Sequence, residues 1–215
     1  MSPSRRYALN ALFPTLIILF GMSVPLTSSQ SALVFQKSFS VDVDRYMGVW
    51  YELARTPNRF QDSAIDRDGT SFDACYNATA EYRLVRNDRF SVTNRCQRAS
   101  ADGTVFNEEI DGVANITAGE DGRKFKLAFG SGGARFAQRM VLGGGADYWV
   151  YCLGPVNGDG VYDWAVAGGS KQRYAFLLTR DKFVPNAVAQ EMLSCAAQHG
   201  FDTDALVFKQ ERSNV

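Results

Sequence analysis

The feature that most constrains this sequence is a series of short segments, from about Val49 onward, in which apolar and polar residues alternate. Alternate residues of a β-strand point to the same face, so each segment predicts a strand with one apolar face. The residues expected to share a face are Ala78, Ala80, Tyr82 and Leu84, then Phe90, Val92 and Asn94, then Phe125, Leu127 and Phe129. Further strands are expected at 106–116, 148–153, 162–167 and 174–179.

Turn residues separate these segments at short intervals. The pairs that stand between alternating runs are Asn87-Asp88, Asp102-Gly103 and Asp121-Gly122. Asparagine, aspartate and glycine favour tight connections because they tolerate turn conformations at little steric cost. Regular short strands joined in this way are typical of an antiparallel sandwich or barrel.

One later segment has helical periodicity instead. Its expected apolar face consists of Val188, Met192, Cys195 and Ala196. Pro185 suits the first turn, and Gly200 stands where a C-terminal cap is expected. The chain is then expected to return as an extended segment over 201–208. About eight strands followed by one late helix predict a closed barrel with the helix docked outside.

Composition excludes several classes of function. The 215 residues, 46% of them hydrophobic, are enough for one well-buried domain. Without Arg5 and Arg6, which lie in a leader, 21 of the 23 basic residues remain against 23 acidic ones. A net charge of −2 lacks the positive surface that nucleic-acid backbones require. The single histidine, His199, excludes a site built from several imidazoles. We expect no nucleic-acid partner, no metal and no cofactor.

Residues 1–31 have the features of a secretory signal peptide. Arg5 and Arg6 precede an apolar stretch over 8–24, and small residues suited to cleavage follow it. A membrane anchor is the alternative, but asparagine and proline interrupt the stretch, which is shorter than the roughly 20 residues that span a bilayer. We therefore expect cleavage and a secreted or periplasmic domain over 32–215.

Three blocks, in order along the chain, resemble the signatures of the lipocalin family. They are Gly48-Val49-Trp50-Tyr51-Glu52-Leu53-Ala54-Arg55, Tyr162-Asp163-Trp164-Ala165-Val166-Ala167-Gly168 and Tyr174-Ala175-Phe176-Leu177-Leu178-Thr179-Arg180. The resemblance covers about 43–210 and is closest to the bacterial lipocalin and apolipoprotein-D-like group. This sequence departs from the group in its glycine-rich loop and in Phe176, where the family often has tryptophan. The resemblance implies an all-β fold, an eight-stranded antiparallel up-and-down β-barrel with one C-terminal α-helix packed outside.

The resemblance also implies which residues are structural. These are Gly48, Trp50, Tyr51 and Arg180. Trp50 is large enough to plug the closed end of an eight-stranded barrel. The family pattern places the guanidinium of Arg180 against the Trp50 ring, a cation–π contact worth about 0.5–2 kcal/mol. These residues are expected to close the barrel and not to select a ligand.

Alternation and the family pattern together place a mostly apolar set of side chains inside the barrel. The predicted ligand-binding residues are Ala80, Tyr82, Val92, Asn94, Ile110, Phe125, Leu127, Phe129, Phe176 and Leu178. Tyr82 and Asn94 are the polar groups expected to orient a head group. Ordinary core packing is the alternative for each aromatic residue. The expected function is carriage of a small hydrophobic ligand, such as a fatty acid, lysophospholipid, sterol or pigment, with membrane lipid maintenance or stress response implied by resemblance.

The four cysteines are Cys75, Cys96, Cys152 and Cys195, and behind a signal peptide they predict two disulfides with three connectivities. The resemblance favours Cys75 with Cys96, which leaves Cys152 for Cys195. Alternation puts Cys75 off the Cys96 face, so this pairing needs a bulge. The alternative is an isomerase or de-epoxidase acting on a lipid or carotenoid, with Cys96 as nucleophile, as in prostaglandin-synthesising lipocalins. That thiol would need a lowered pKa, and no histidine is available to supply it, so we expect a protein that is not an enzyme.

Residues 130–145 hold six of the 19 glycines, with arginines and apolar residues between them. Such a loop is a candidate cover for the barrel mouth and a candidate for peripheral membrane contact. A disordered insertion and a protein-interaction module are the alternatives. The oligomeric state does not follow from the sequence.

Overall fold

The computed structural model describes residues 39–58, 61–62, 64–65, 71–72, 74–117, 121–130, 145–208 and 212–213. The expected leader, 1–31, lies outside the described residues, as does all of the glycine-rich loop between Gly130 and Gly145. Among the described residues, no helix is long and apolar enough to cross a membrane.

Short strands make up most of the described chain. In chain order the elements are α1 (Val43–Tyr46), β1 (Gly48–Arg55), β2 (Ala64–Ile65), β3 (Ser71–Phe72), β4 (Tyr76–Arg86), β5 (Arg89–Ala99), β6 (Val105–Ile116), β7 (Lys124–Phe129), β8 (Ala146–Leu153), β9 (Trp164–Gly168), β10 (Ala175–Thr179), β11 (Val184–Pro185), α2 (Asn186–Gln198), β12 (Val207–Phe208) and β13 (Arg212–Ser213). Strands β4 to β10 follow one another as antiparallel neighbours, and β1 closes the ring by pairing with both β4 and β10. This confirms the eight-stranded up-and-down barrel.

The turns fall where the sequence predicts them. Asn87-Asp88 joins β4 to β5, and Asp102-Gly103 lies between β5 and β6. Before β7, Gly122 has a φ of +68°, and a Cβ on it would lie 2.5 Å from the carbonyl oxygen of Val41. Glycine is therefore required at this turn both by the backbone conformation and by the close approach of the preceding chain.

Helix α2 packs on the outside of the barrel through Ala189, Met192, Cys195 and Ala196, all buried. Val188, expected on that face, is only half-buried. Pro185 is the residue before the helix and not part of its first turn, so its fixed φ ends β11 and leads into the helix. Gly200, with a φ of +84°, follows the C-cap as predicted.

Two expected strands are shorter than the sequence indicates. The segment 201–208 is extended only at β12, because the carboxylate of Asp202 accepts from the amides of Asp204 and Ala205 and turns the chain. Likewise, β9 begins at Trp164 and not at Tyr162, since Tyr162 forms an isolated bridge with Val156.

The buried apolar residues form two clusters. One lies between α2 and the outer face of the barrel and includes Leu53, Leu177 and Met192. The other lies inside the barrel and is built around Trp50 and Phe125. The helix therefore covers the outside, and the site must be sought within the inner cluster and at the open end above it.

Candidate functional site

The start of β1 closes one end of the barrel. Trp50 is fully buried, and its Nε1 donates to the carbonyl oxygen of Tyr46 at 2.9 Å. The guanidinium carbon of Arg180, just after β10, lies 3.5 Å from the centre of the Trp50 ring. The contact expected between these two residues is thus present. Burial lowers the pKa of Arg180 to about 10, which still leaves the guanidinium charged at neutral pH.

Arg180 also ties the chain before and within β1 to the end of the neighbouring strand β10. It donates to the carbonyl oxygens of Val49 and Met47, each at 2.7 Å. Gly48 has a φ of +97°, and a Cβ there would lie 3.3 Å from Nη1 of Arg180. Tyr51, the remaining signature residue, carries the ammonium of Lys182 5.5 Å from its ring centre. The signature residues therefore hold the closed end together.

Further aromatic side chains fill the barrel next to Trp50. We call this end the floor; it consists of Trp50, Tyr46, Tyr82, Phe90, Phe125 and Tyr148. Ring centres lie 5.0 Å apart for Phe90 and Phe125 and 5.3 Å apart for Tyr46 and Trp50. Such tilted and edge-to-face pairs stabilise a core beyond the area that they bury.

Three predicted ligand-binding residues are buried in the floor or in the cluster around it. Tyr82 and Phe125 are floor residues, and Val92 lies in the same cluster; their side chains are 5%, 0% and 2% exposed. For Tyr82 and Phe125 this is the core packing given as the alternative for the aromatic residues, and ligand contact by Val92 stays a prediction. Burial raises the pKa of Tyr82 to about 12, so its phenol stays protonated at neutral pH.

The opposite end of the barrel, which we call the mouth, has an open apolar wall on β6 and β7. Ile110 pairs with Asn94 and Phe129 pairs with Gly112, which places both apolar side chains on the inward face. They are nevertheless 49% and 38% exposed. Glycine at 112 makes room for the ring, because a Cβ there would lie 2.7 Å from Cδ1 of Phe129.

The remaining predicted residues line the interior between the floor and the mouth. Leu127 and Phe176 are half-buried and pack against the inner cluster, and Leu178 is buried within it. Ala80 and Asn94 face each other across β4 and β5. Eight of the predicted residues therefore lie outside the floor and stay candidates for ligand contact: Ala80, Val92, Asn94, Ile110, Leu127, Phe129, Phe176 and Leu178.

The other side of the mouth buries charged groups that the sequence reasoning missed. Arg55 is fully buried, with its Nε 3.3 Å from Glu52 and its Nη2 2.6 Å from Asp62. Gln61 donates to the other Glu52 oxygen at 2.7 Å. Asp62 and Gln61 belong to the chain that leaves β1, so the buried pair of Arg55 and Glu52 holds these two residues at this end of the barrel.

A bulge explains why these charges point inward. Residues three apart in a regular strand face opposite sides, so Glu52 and Arg55 should not share a face. The register between β1 and β10 shifts between Glu52 and Ala54, and this places Glu52 opposite Leu178 and Arg55 opposite Phe176. No signal in the spacing alone reveals this shift.

A second arginine fastens the same connection from β5. Arg98 is 4% exposed, and its Nε lies 2.8 Å from Glu108 on β6. Its Nη1 donates to the backbone carbonyl of Asp62 at 2.9 Å. Both arginines that the described barrel buries are therefore paired with carboxylates.

Comparison with known proteins agrees with this architecture. Residues 41–211 match the family model described as a lipocalin-like domain. This chain belongs to the lipocalin family. A lipocalin of Acanthamoeba polyphaga mimivirus is 28% identical over 171 residues, covering 78% of this chain and 83% of that protein. The outer membrane lipoprotein Blc of Escherichia coli K12 is 26% identical over 170 residues, covering 79% of each. The crystal structure of lobster apocrustacyanin A1 is similar with a TM-score of 0.49 and 13% identity, covering 80% of this chain and 81% of that one.

The cysteines of this lipocalin are all in disulfides. Cys75 is bonded to Cys96 and Cys152 to Cys195, the pairing favoured above. The required bulge is present: the register shifts between Tyr76 and Thr79. Because its sulfur is bonded, Cys96 has no thiol to act as the nucleophile of the alternative enzyme. The second disulfide fastens helix α2 to β8.

A groove of about 680 Å³ lies on the outer face of the lipocalin barrel. Its lining includes Thr79, Arg95 and Gln97, which the register places on the face opposite to Ala80 and Asn94. Arg95 is held there by Glu81 at 2.9 Å and Glu109 at 2.7 Å. Its lining also includes Cys96 and Glu108, which the register places on the same face as Asn94 and Ile110, so the groove reaches the rim of the barrel.

Proposed function

We propose that this lipocalin binds one small hydrophobic molecule inside the barrel, above the floor, and carries it without covalent chemistry. The observation that supports this most directly is the wall of inward-facing Ile110 and Phe129, half-exposed at an open barrel end. A ligand that covers this wall removes apolar surface from water at about 25 cal/mol per Å² before ordering costs. Fatty acids, lysophospholipids, sterols and pigments are the candidate classes.

Carriage is favoured over catalysis by the state of the reactive groups. All four cysteines are bonded in two disulfide pairs. The single histidine, His199, caps helix α2 on the outside of the barrel, away from the interior. Relatives in the lipocalin family are mainly binding proteins, and non-covalent binding needs neither group.

An extracytoplasmic location fits the same observations. Two disulfides are typical of proteins that fold in an oxidising compartment. We propose that residues 1–31 are removed and that the domain over 32–215 is secreted or periplasmic. The Escherichia coli relative is named an outer membrane lipoprotein, and we propose that this chain meets membrane surfaces through its 130–145 loop and works in membrane lipid maintenance.

The test compares two substitutions on one strand. Ile110 faces inward and is 49% exposed, whereas Val105, also on β6, faces outward and is 52% exposed. Ile110→Asp places a charge on the proposed ligand wall, and Val105→Asp places the same charge at matched exposure outside it. Binding is measured by displacement of a polarity-sensitive fluorescent dye and by native mass spectrometry of protein purified from its own host.

We expect a lipid-sized adduct on the unmodified protein, strong loss of dye binding for Ile110→Asp and nearly unchanged binding for Val105→Asp. Equal effects of the two substitutions would place the dye outside the barrel. No adduct and no dye binding in the unmodified protein would contradict carriage.

A further inference from the structure

Three phenol groups meet inside the barrel at the floor. The hydroxyl of Tyr148 lies 3.0 Å from that of Tyr46 and 3.1 Å from that of Tyr82. All three residues are buried. Burial raises the pKa of each phenol, so each keeps its proton at neutral pH and remains a donor.

Counting donors shows that this trio is incomplete. Three hydroxyl groups carry three protons, but the two contacts among them use only two. Within the described part of the chain, none of the three hydroxyls has a further hydrogen-bond partner. One phenolic O–H is therefore left to donate to something outside the trio, and an unmade hydrogen bond in a dry interior is costly.

An unpartnered acceptor lies one inward-facing step along the strands from Tyr82. The Oδ1 atom of Asn94 is buried, and no group of the described residues donates to it. Asn94 pairs with Ala80, one inward-facing step beyond the pair of Tyr82 and Val92. Diagonal neighbours of this kind lie about 7–8 Å apart at the backbone, within reach of an aromatic side chain.

The geometry points to a hydroxyl group as the polar end of the ligand, held between Asn94 and the phenols of the floor. This inference rests on the proposed function and specifies its ligand. A hydroxyl both donates and accepts, so it can donate to Oδ1 of Asn94 and accept the remaining phenolic proton. A carboxylate or an ether oxygen can only accept, and it would leave Oδ1 unsatisfied.

The buried arginines give no alternative anchor for an anionic head group. Arg55 is paired with Glu52 and Asp62, and Arg98 with Glu108. An anion entering the barrel would have to compete with carboxylates already in place. A neutral long-chain or polycyclic alcohol fits this interior better than a fatty acid.

Three probes of equal chain length test the inference: dodecanol, dodecyl methyl ether and dodecanoic acid. Their affinities for the mature protein are measured by displacement of a polarity-sensitive dye. We expect dodecanol to bind about tenfold more tightly than the ether, as one additional satisfied buried hydrogen bond allows, and more tightly than the acid.

Asn94→Leu removes the acceptor and keeps the side-chain size, and it should make the alcohol and the ether bind equally. Retained binding of the ether by this variant shows that the barrel is folded. The matched control is Asn107→Leu, because Asn107 is exposed on the outer face of β6 and accepts from Gln97. It should keep the tenfold preference.

The outcomes separate this inference from carriage itself. Equal affinities for alcohol and ether in the unmodified protein, as expected if water fills the site, would overturn the inference and leave carriage standing. So would a preference for the acid, or a preference for the alcohol that survives Asn94→Leu. If none of the three probes binds, carriage fails and the inference falls with it.

Discussion

The two ends of this barrel use buried groups in opposite ways. At the floor, six aromatic side chains pack against one another, and Trp50 is covered by Arg180. At the mouth, Arg55 is buried among carboxylates, while Ile110 and Phe129 stay half-exposed although they face inward. Apolar groups are thus buried at one end and left accessible at the other.

This difference separates stability from binding. Apolar surface that is already buried in the floor adds no binding free energy when a ligand enters, because it is out of contact with water before binding. Burial of the exposed mouth wall by a ligand adds most to the binding free energy. In the absence of a ligand, this wall contributes little to the free energy of unfolding. Substitutions at the floor should therefore change the free energy of unfolding, and those at the mouth wall should change affinity.

The largest effect on stability is expected from Trp50→Ala. Removing a fully buried tryptophan leaves a cavity and abolishes the cation–π contact with Arg180, so the free energy of unfolding should fall by about 4 kcal/mol. Urea unfolding followed by circular dichroism measures this loss. Phe183→Ala, at a residue 64% exposed, is the control and should change stability by less than about 0.5 kcal/mol. Similar losses of unfolding free energy in both variants would mean that the floor contributes no more to stability than an exposed residue does.

The next largest effect is expected at the charged side of the mouth. Arg55→Met leaves the carboxylate of Glu52 buried without its guanidinium, which should cost about 3 kcal/mol of unfolding free energy. Adding Glu52→Gln removes that charge and should restore at least about 1 kcal/mol. Chemical unfolding of the single and double variants measures both values. A double variant no more stable than Arg55→Met would show that the loss comes from packing and not from charge.

An intermediate effect on stability is expected at alkaline pH, from the ionisation of Tyr82. The folded pKa of Tyr82 is raised to about 12 from an ordinary value of 10.0. Below pH 10 both states hold the proton and stability is unaffected; above it the unfolded state ionises first, so stability falls until the pH passes the folded pKa. At pH 11 Tyr82 alone should cost about 1 kcal/mol.

Unfolding experiments between pH 9 and 12 test this slope, with phenolate absorbance as a second measurement. Tyr82→Phe should make the decline shallower than in the unmodified protein. An unchanged slope in Tyr82→Phe would show that this phenol titrates freely in the folded barrel.

The smallest effect on stability is expected at the mouth wall. Ile110→Ala shortens a side chain that is 49% exposed, so stability should change by less than about 1 kcal/mol. Affinity for an apolar probe should nevertheless fall several-fold, because the wall that the ligand covers is smaller. Parallel unfolding and binding measurements check the two halves of this prediction. A variant that loses stability but keeps its affinity would show that the mouth wall contributes to folding and not to ligand binding.

The barrel itself could be predicted because its signals are local. Period-two alternation at Phe90 and Val92, or at Phe125 and Leu127, depends only on the pleat of a single strand. The turn at Gly122 follows from backbone conformation in the same way. The up-and-down strand order was implied by the resemblance to the lipocalin family, and a tight turn accounts locally for pairs such as β4 with β5.

The charged cluster could not be predicted in this manner. The inward direction of Arg55 depends on a register shift against β10, a strand more than a hundred residues away. The exposure of Ile110 was likewise hidden, since alternation gives the face of a residue but not how far along the barrel the packed interior extends. That Oδ1 of Asn94 has no donor among the described residues is apparent only once the positions of the neighbouring strands are known.

The contacts of Arg180 indicate when the floor is completed during folding. Its donors reach the carbonyl oxygens of Val49 and Met47, 131 and 133 residues earlier in the chain. A chain that grows from its N-terminus holds Trp50 long before it holds the guanidinium that covers it. Contacts of such large sequence separation form late because they close long loops. The floor is therefore covered only after the last strand of the barrel is in place. A chain truncated before Arg180 would leave Trp50 without its covering guanidinium.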